Sequence, residues 1–148
     1  MATELNSEPS STTFTLGRST VLHLASDLSA SALQVDRDAW ANPAEVAQFQ
    51  EGRVMSVFEY GSTWTWWERH PTGVEMVHVL SGSLVFHLEG FDTTAVALTR
   101  GDSLLVPENV WHTAEIVGAA RMLFVTPLPA RTEHRPVQTG LVDKVSHG

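Results

Sequence analysis

The sequence predicts an all-β protein in which one barrel of short strands follows a single short helix. The main observation is a change in the sequence pattern after Gly52. From there on, short apolar runs alternate with turn residues at intervals of about 8–12 residues, a spacing typical of β-sandwiches and β-barrels. The chain has 148 residues, of which 43% are hydrophobic. This length suits one domain with its own core and leaves little room for a second.

The elements are predicted in order along the chain. Residues 1–13 are polar and rich in Ser and Thr, which is typical of a flexible tail. The barrel is predicted over residues 14–126, beginning with a strand within residues 14–24. Residues 127–148 hold three of the seven prolines and are predicted to cover the barrel without regular structure. The other strands are predicted at residues 53–60, 64–70, 75–81, 84–88, 93–98, 103–106, 112–116 and 121–126.

The one predicted helix spans residues 42–50. Asn42 is suited to the N-cap position and Pro43 to the first helical position, while Glu45 stands three residues after the cap. Gly52 follows as a stop signal. These residues predict a short helix immediately before the strands of the barrel.

The composition excludes several classes of function. There is no cysteine, which rules out thiolate catalysis, cysteine zinc sites and disulfides. The net charge of -8 disfavours binding to nucleic acid. No apolar stretch approaches the roughly 18 residues of a membrane helix, and the acidic N-terminus is unlike a signal peptide. We therefore expect a cytoplasmic protein that binds neither membranes nor nucleic acid.

The segment that ends at Glu75 carries the predicted chemistry. If the residues before the Pro-Thr-Gly turn form a strand, alternation places Glu68 and His70 on one face, about 7 Å apart. Glu75 opens the next strand after the turn and returns opposite His70. Burying two acids and a histidine is costly unless a cation balances them, and imidazole with carboxylate suits first-row divalent ions. The segment therefore predicts a metal site.

A second segment, residues 101–112, offers a fourth donor. Turn signals at Gly101-Asp102 and at Pro107-Glu108-Asn109 flank a short predicted strand. His112 then opens the following strand. It could complete the site from the side opposite the first three donors.

These two segments resemble the two motifs of the cupins. The first motif has His residues before a Glu, with a Gly after six further residues. The second has a Gly, five residues, a Pro and then a His. The resemblance spans about residues 53–126. The residues of this chain that match are His70, Glu75, Gly82, Gly101, Pro107 and His112.

The resemblance implies a double-stranded β-helix, which is a jelly-roll-like barrel, in a small single-domain cupin that forms a homodimer. It also implies that His70, Glu75 and His112 are metal ligands. Two departures lie in the second motif. Asn109 stands where a Gly is expected, and Asn also accepts positive φ. Ile116 stands where an Asn is expected.

The third departure is Glu68, which stands where the family has its first His. As a fourth ligand it would complete a set of two His and two carboxylates. It could instead act as a general base and catalytic residue beside the metal, or as the ion-pair partner of an Arg. A carboxylate-rich set suits one divalent Mn, Fe, Zn or Ni ion rather than Cu(I).

Apolar residues are predicted to line a substrate pocket beside the ion. Trp64 and Trp66 share the strand face of the predicted donors. Phe86 and Ile116 are assigned to the same pocket. Trp67 and Trp111 are expected to point to the opposite side of their strands from the neighbouring donors. They are predicted to pack under an N-terminal strand or in a dimer contact.

Three functions fit this reading of the sequence. The first is a metal-dependent enzyme for a small organic molecule that chelates the ion through oxygen. An anionic ligand set weakens the Lewis acid and leaves a carboxylate for proton transfer, which favours lyase, isomerase or cyclase chemistry over a dioxygenase. The second is a non-catalytic module that binds a metal or small ligand. The third is a metal-free structural barrel.

Overall fold

A computed structural model describes residues 2–4, 11–36, 39–40, 42–90 and 94–138. The described residues form ten strands, numbered β1 to β10 in chain order, and two short 3-10 helices. The helices are Pro43–Glu45 and Ala47–Gln50. The strands are Ala2–Glu4, Thr20–Leu24, Ala30–Val35, Arg53–Tyr60, Trp66–Arg69, Glu75–Leu88, Ala95–Thr99, Ser103–Val106, His112–Pro127 and Glu133–Pro136.

The long antiparallel strands β6 and β9 form the centre of a jelly-roll-like all-β fold. They pair from Met76 opposite Val125 to Leu88 opposite His112. The strand order on one side runs β1-β3-β2-β4-β9-β5-β10, while β6 also pairs with β7 and β8. The all-β class predicted from the sequence is confirmed. Within the described residues, no helix combines the length and apolar character that crossing a membrane requires.

The prediction of two strands on either side of Ser81-Gly82 is wrong, because β6 runs continuously from Glu75 to Leu88. Its register against β9 shifts between Val79 and Ser81 and again between Gly82 and Ser83. Gly82 has a φ of 84° there, which a glycine adopts without the steric cost of a Cβ. The glycine therefore marks a bulge that bends the strand. The prediction of two strands at residues 112–116 and 121–126 is also wrong, because β9 is a single strand.

The N-terminal part differs most from the sequence prediction. Of the expected first strand only Thr20–Leu24 forms, and it pairs with a strand that was not predicted, Ala30–Val35. Residues 2–4 of the predicted flexible tail also form a strand, which pairs with β3. The predicted helix is instead the two 3-10 helices, because Val46 between them is extended and the side chain of Asn42 makes no cap hydrogen bond.

Two groups of buried side chains form the core. The larger lies between the two faces of the barrel and includes Phe86 and Met122, both 0% exposed. The smaller joins the β2–β3 hairpin to the second 3-10 helix through Val21, Leu33 and Phe49. Burying a side chain of this size contributes about 1.5–3 kcal/mol. The second group thus holds the N-terminal segment against the mouth of the barrel.

Candidate metal centre

Four side chains converge at one end of the barrel. Glu68, His70, Glu75 and His112 each offer one donor atom, and these atoms all lie within 4.8 Å of one another. His112 is 0% exposed, Glu75 2% and His70 7%. A cluster of two carboxylates and two imidazoles at this depth is the kind of donor set that holds a first-row divalent ion.

The strand pairing explains why these residues meet. Glu68 lies on β5 directly opposite His112, which begins β9. His70 follows the end of β5, and its carbonyl accepts a hydrogen bond from the backbone N–H of Asn109 at 3.0 Å. Glu75 is the first residue of β6, after the Pro-Thr-Gly turn. The donors therefore come from the ends of three strands.

Neighbouring groups orient the donors. Nδ1 of His112 lies 3.0 Å from the carbonyl oxygen of Val110, which can only accept, so this nitrogen carries a proton and Nε2 faces the cluster. Nδ1 of His70 lies 3.0 Å from the hydroxyl of Thr132. The hydroxyl of Thr126 donates to Oε2 of Glu75 at 2.8 Å. Such outer partners fix ligand orientation in metal sites.

The inner atoms of the cluster lack hydrogen-bond partners. Nε2 of His70, Nε2 of His112 and Oε1 of Glu75 are all buried without one. Distances from these imidazole nitrogens to the carboxylate oxygens of Glu68 and Glu75 are 3.0–3.7 Å. Buried polar atoms without partners are costly, and coordination to one cation would satisfy all of them. The four residues therefore fit a metal ion.

Charge interactions perturb the titration of the metal-free cluster. Burial alone would lower the pKa of His70, but contacts with Glu68 and Glu75 outweigh it and raise the pKa to about 10. The same balance raises the pKa of His112 to about 9. Burial would raise the pKa of Glu68, but contacts with His112, His134 and His70 hold it well below its usual range. The metal-free cluster thus pairs imidazoliums with carboxylates.

Metal binding should therefore release protons. Because the pKa values of His70 and His112 are about 10 and 9, both imidazoles carry an extra proton at pH 7 that a metal ion must displace. We expect about two protons to leave per zinc ion, and zinc affinity to rise with pH up to about 9–10. Calorimetry in buffers of different ionisation enthalpy measures this number. A binding enthalpy that does not change with the buffer would contradict it.

A cavity of about 410 Å³ opens beside the cluster. Glu68, His70 and Glu75 line it, so the cavity adjoins three of the four residues of the cluster. Thr132, which immediately precedes β10, and His134 on β10 also line the cavity. Its aromatic walls come from other parts of the chain, namely Trp40, Phe49, Phe58, Tyr60 and Phe124.

The cavity is not lined by the residues that the sequence assigned to the substrate pocket. Trp64, Phe86 and Ile116 are 3%, 0% and 7% exposed and belong to the main core, with Trp66 packed against it. The rings of Trp64 and Phe86 lie 6.5 and 6.0 Å from the ring of His112. Trp64 and Phe86 therefore pack beside His112 in the main core, outside the cavity lining.

The sequence did not decide a place for His134, which the structure brings to the cluster. The segment predicted to be irregular forms β10, which pairs with β5 so that His134 lies opposite Glu68. Nε2 of His134 is 3.3 Å from Oε2 of Glu68. The pairing of β10 with the distant strand β5 decides this placement, so no local pattern in the sequence could have indicated it.

Two arginines hold β10 in place. The guanidinium of Arg135 lies 4.4 Å from the ring centre of Trp111 and that of Arg69 lies 4.6 Å from the same ring. Arg69 pairs with Glu133, and Arg135 pairs with Glu89. Trp67, 8% exposed, also contacts Arg135. The two tryptophans expected under an N-terminal strand or in a dimer contact therefore pack against arginines of their own chain.

Residues 54–126 match the family model of the cupin domain. The matched segment is about half of the chain and contains all four donors. These residues form a cupin domain. Among curated proteins, none matches the chain.

The chain is similar to several solved structures at low sequence identity. A cupin-2 domain containing protein from Shewanella frigidimarina NCIMB 400 is 16% identical, with a TM-score of 0.45 over 51% of this chain and 70% of that one. A chain from the DMSP lyases RdDddP and RnDddQII is 21% identical, with a TM-score of 0.48 over 59% and 45% of the two chains. The hydroquinone 1,2-dioxygenase of Sphingomonas sp. TTNP3 is 18% identical, with a TM-score of 0.44 over 51% of this chain and 59% of that one. Less than two thirds of each enzyme chain is thus covered.

Two departures of this cupin domain from the family motif have visible consequences. Asn109 has a φ of 62° at the position where the motif has a Gly, as its tolerance of positive φ predicted. Ile116 is 7% exposed in the main core, where the motif has an Asn. Neither departure removes a donor from the cluster. The third departure, Glu68, adds a carboxylate to it.

Proposed function

We propose that this protein is a metal-dependent cupin enzyme that acts on a small organic molecule bound through oxygen in the cavity beside the cluster. The observation that carries the proposal is the position of four metal-donor residues at a cavity of about 410 Å³, within the size range of small-molecule sites. A single divalent ion held by Glu68, His70, Glu75 and His112 would polarise an oxygen of the substrate. Mn, Fe, Zn and Ni all suit this donor set.

Within this proposal Glu68 has two roles available. Its Oε1 lies 3.4 Å from Nε2 of His112 and 3.7 Å from Nε2 of His70, inside the cluster. Its Oε2 faces His134 instead. One oxygen can therefore bind the ion while the other accepts a proton from a substrate in the cavity. A carboxylate that does both supports proton-transfer chemistry.

We therefore favour a redox-neutral reaction of the lyase, isomerase or cyclase type. Two carboxylates in the donor set reduce the effective charge of the ion, and Oε2 of Glu68, which faces away from the other three donors, is the candidate proton acceptor. A dioxygenase is the second enzymatic candidate. A non-catalytic metal- or ligand-binding cupin is the other alternative, because the same buried cluster would serve storage or sensing equally well.

An oxygen-free turnover experiment tests the reaction class. The untagged protein, loaded with Mn, Fe, Zn or Ni in turn, is incubated without oxygen with a metabolite extract, and masses are followed over time. We expect at least one species to disappear while products of equal total mass appear, and the Glu68→Gln variant, compared at equal metal content, to abolish this change.

Two outcomes would contradict the proposal. Turnover that needs oxygen and adds about 32 Da to the substrate would indicate a dioxygenase. Less than about a tenth of an equivalent of bound metal after loading would contradict the metal centre itself. A loaded protein that retains one metabolite without converting it would support the binding module.

The predicted partners follow from the same proposal. A small molecule in the cavity is the expected ligand, and the net charge of -8 continues to argue against nucleic acid. A homodimer and a cytoplasmic location stay predictions. Light scattering at several protein concentrations would measure the first directly.

A further inference from the structure

The cavity beside the cluster has an unusual balance of charge. Among its described lining residues, the ionisable side chains are two carboxylates, Tyr60 and two histidines, and none is Lys or Arg. Arg131 lines a neighbouring cavity, which shares Pro43, Phe49 and Ala130 with this one. A substrate anion would therefore find no Lys or Arg in the described cavity wall to pair with, and the one histidine outside the proposed ligand set, His134, already faces Glu68.

The metal centre does not supply that missing charge. The two carboxylates of Glu68 and Glu75 cancel the charge of one divalent ion, and His70 and His112 are neutral as ligands. An anionic substrate would thus place an uncompensated charge in a largely apolar cavity, which is costly. A cationic substrate would instead approach the ion itself. An uncharged molecule avoids both penalties.

The walls also indicate the shape of the molecule. Five aromatic side chains line the cavity, and the rings of Trp40 and Phe58 meet edge to face with centres 5.7 Å apart. The ring of Trp40 also stacks on Phe49 at 5.9 Å. Flat aromatic walls of this kind contact ring-bearing ligands over a large area.

One wall residue carries an unused donor. Nε1 of Trp40 is buried and has no hydrogen-bond partner in the described part of the chain. An indole N–H donates only, and buried donors are normally paired. A ligand oxygen with a free lone pair would satisfy it.

We propose that the cavity binds an uncharged, ring-bearing molecule that gives one oxygen to the metal ion and accepts a hydrogen bond from Trp40. This deepens the proposed function and rests on it for the metal contact. The neutral charge follows from the donor set and from the absence of Lys and Arg among the described lining residues. The ring follows from the aromatic walls, and the acceptor follows from the unpaired indole.

A matched series of probes tests the charge. Zinc-loaded protein is titrated by calorimetry with 2-naphthamide, 2-naphthoate and 2-naphthamidine, which share one ring system and differ in charge. We expect the neutral amide to bind at least tenfold more tightly than the anion or the cation. Tighter binding of either charged probe, or no binding of the amide at millimolar concentration, would overturn the inference.

Two variants test the role of Trp40. Trp40→Phe keeps an aromatic ring but removes the N–H, and we expect it to weaken 2-naphthamide binding about fivefold, the size of one hydrogen bond. Trp66→Phe makes the same change in a residue packed against the main core, outside the cavity lining, and should leave binding unchanged. Equal affinity of the parent and Trp40→Phe would remove Trp40 from the site.

The zinc content, measured beforehand, separates this inference from the proposed function. A fully loaded protein that prefers 2-naphthoate overturns the inference and leaves the metal enzyme intact. A protein that takes up no zinc contradicts the metal enzyme. The probe series on that protein then still decides whether the cavity selects uncharged rings.

Discussion

The His112→Ala variant is expected to bind zinc at least about 100-fold more weakly than the parent chain. Loss of a residue that only orients a ligand typically costs about 10–100-fold in metal affinity, and His112 is itself a proposed ligand. Its imidazole is 0% exposed and its Nε2 points into the cluster without another partner. Competition with a chromophoric chelator measures the affinity, and elemental analysis measures the metal retained after gel filtration.

A matched control separates this effect from general damage. His78 is also on a strand of the barrel, but its Nδ1 is 2.7 Å from the hydroxyl of Ser103, away from the cluster. His78→Ala should keep the parent affinity. Circular dichroism shows whether each variant is folded, and Glu75→Gln provides a second test at nearly constant side-chain volume. Parent-like zinc affinity in a folded His112→Ala protein would remove His112 from the ligand set.

The Gly82→Ala variant is expected to destabilise the barrel strongly. A Cβ at Gly82 would overlap the carbonyl oxygen of Ala119 and lie 2.9 Å from Cα of Ala120, and the φ of 84° is itself unfavourable for any other residue. Both contacts are backbone atoms of β9, which cannot rotate away. We expect a loss of about 3 kcal/mol in the free energy of unfolding and a fall of about 10 °C in Tm.

Gly118 offers the matched control for this prediction. It has a similar φ of 76°, but nothing lies within 4 Å of a Cβ built there. Gly118→Ala should therefore show only the backbone cost of about 1–2 kcal/mol. Thermal and urea unfolding of the two variants measures the difference. Equal losses in both would mean that the bulge at Gly82 relaxes, and that the close approach of β9 does not require a glycine.

The strands that follow one regular pattern were predictable from the sequence. Predicted residues 53–60 and 103–106 coincide with β4 and β8. Runs of this length with clear turn residues at both ends leave few alternatives. The strands β6 and β9 were each predicted as two. In β6 the cause is Ser81-Gly82, which has the composition of a turn, and only the register against β9 shows that it is a bulge.

Elements that depend on distant partners were the ones missed. β3 has a mixed burial pattern and gains its place from pairing with β2. β10 lies among prolines, and its pairing with β5 and the contacts of Arg69 and Arg135 hold it there. A local sequence pattern does not indicate such strands, because the residues that stabilise them are far away in the sequence.

The site shows the same division. Spacing, charge burial and the cupin resemblance together identified His70, Glu75 and His112, and strand parity alone added Glu68. The structure brings the donor atoms of all four within 4.8 Å of one another. The substrate pocket was assigned to the neighbours of these residues along the strands, and there the prediction differs from the cavity. Trp40 and His134 lie outside residues 54–126, which the cupin model matches, so strand parity within the motif could not reveal them.

The sequence by itself determined the all-β class, the cupin resemblance and the four candidate donors, because short-range spacing and alternation fix which side chains share a strand face. Only the tertiary structure decided that β6 and β9 are continuous, that His134 lies opposite Glu68, and that the cavity is walled by aromatic residues such as Trp40. The physical reason is the same in each case. Strand pairing and packing between distant segments are set by the whole chain, and no local pattern contains them.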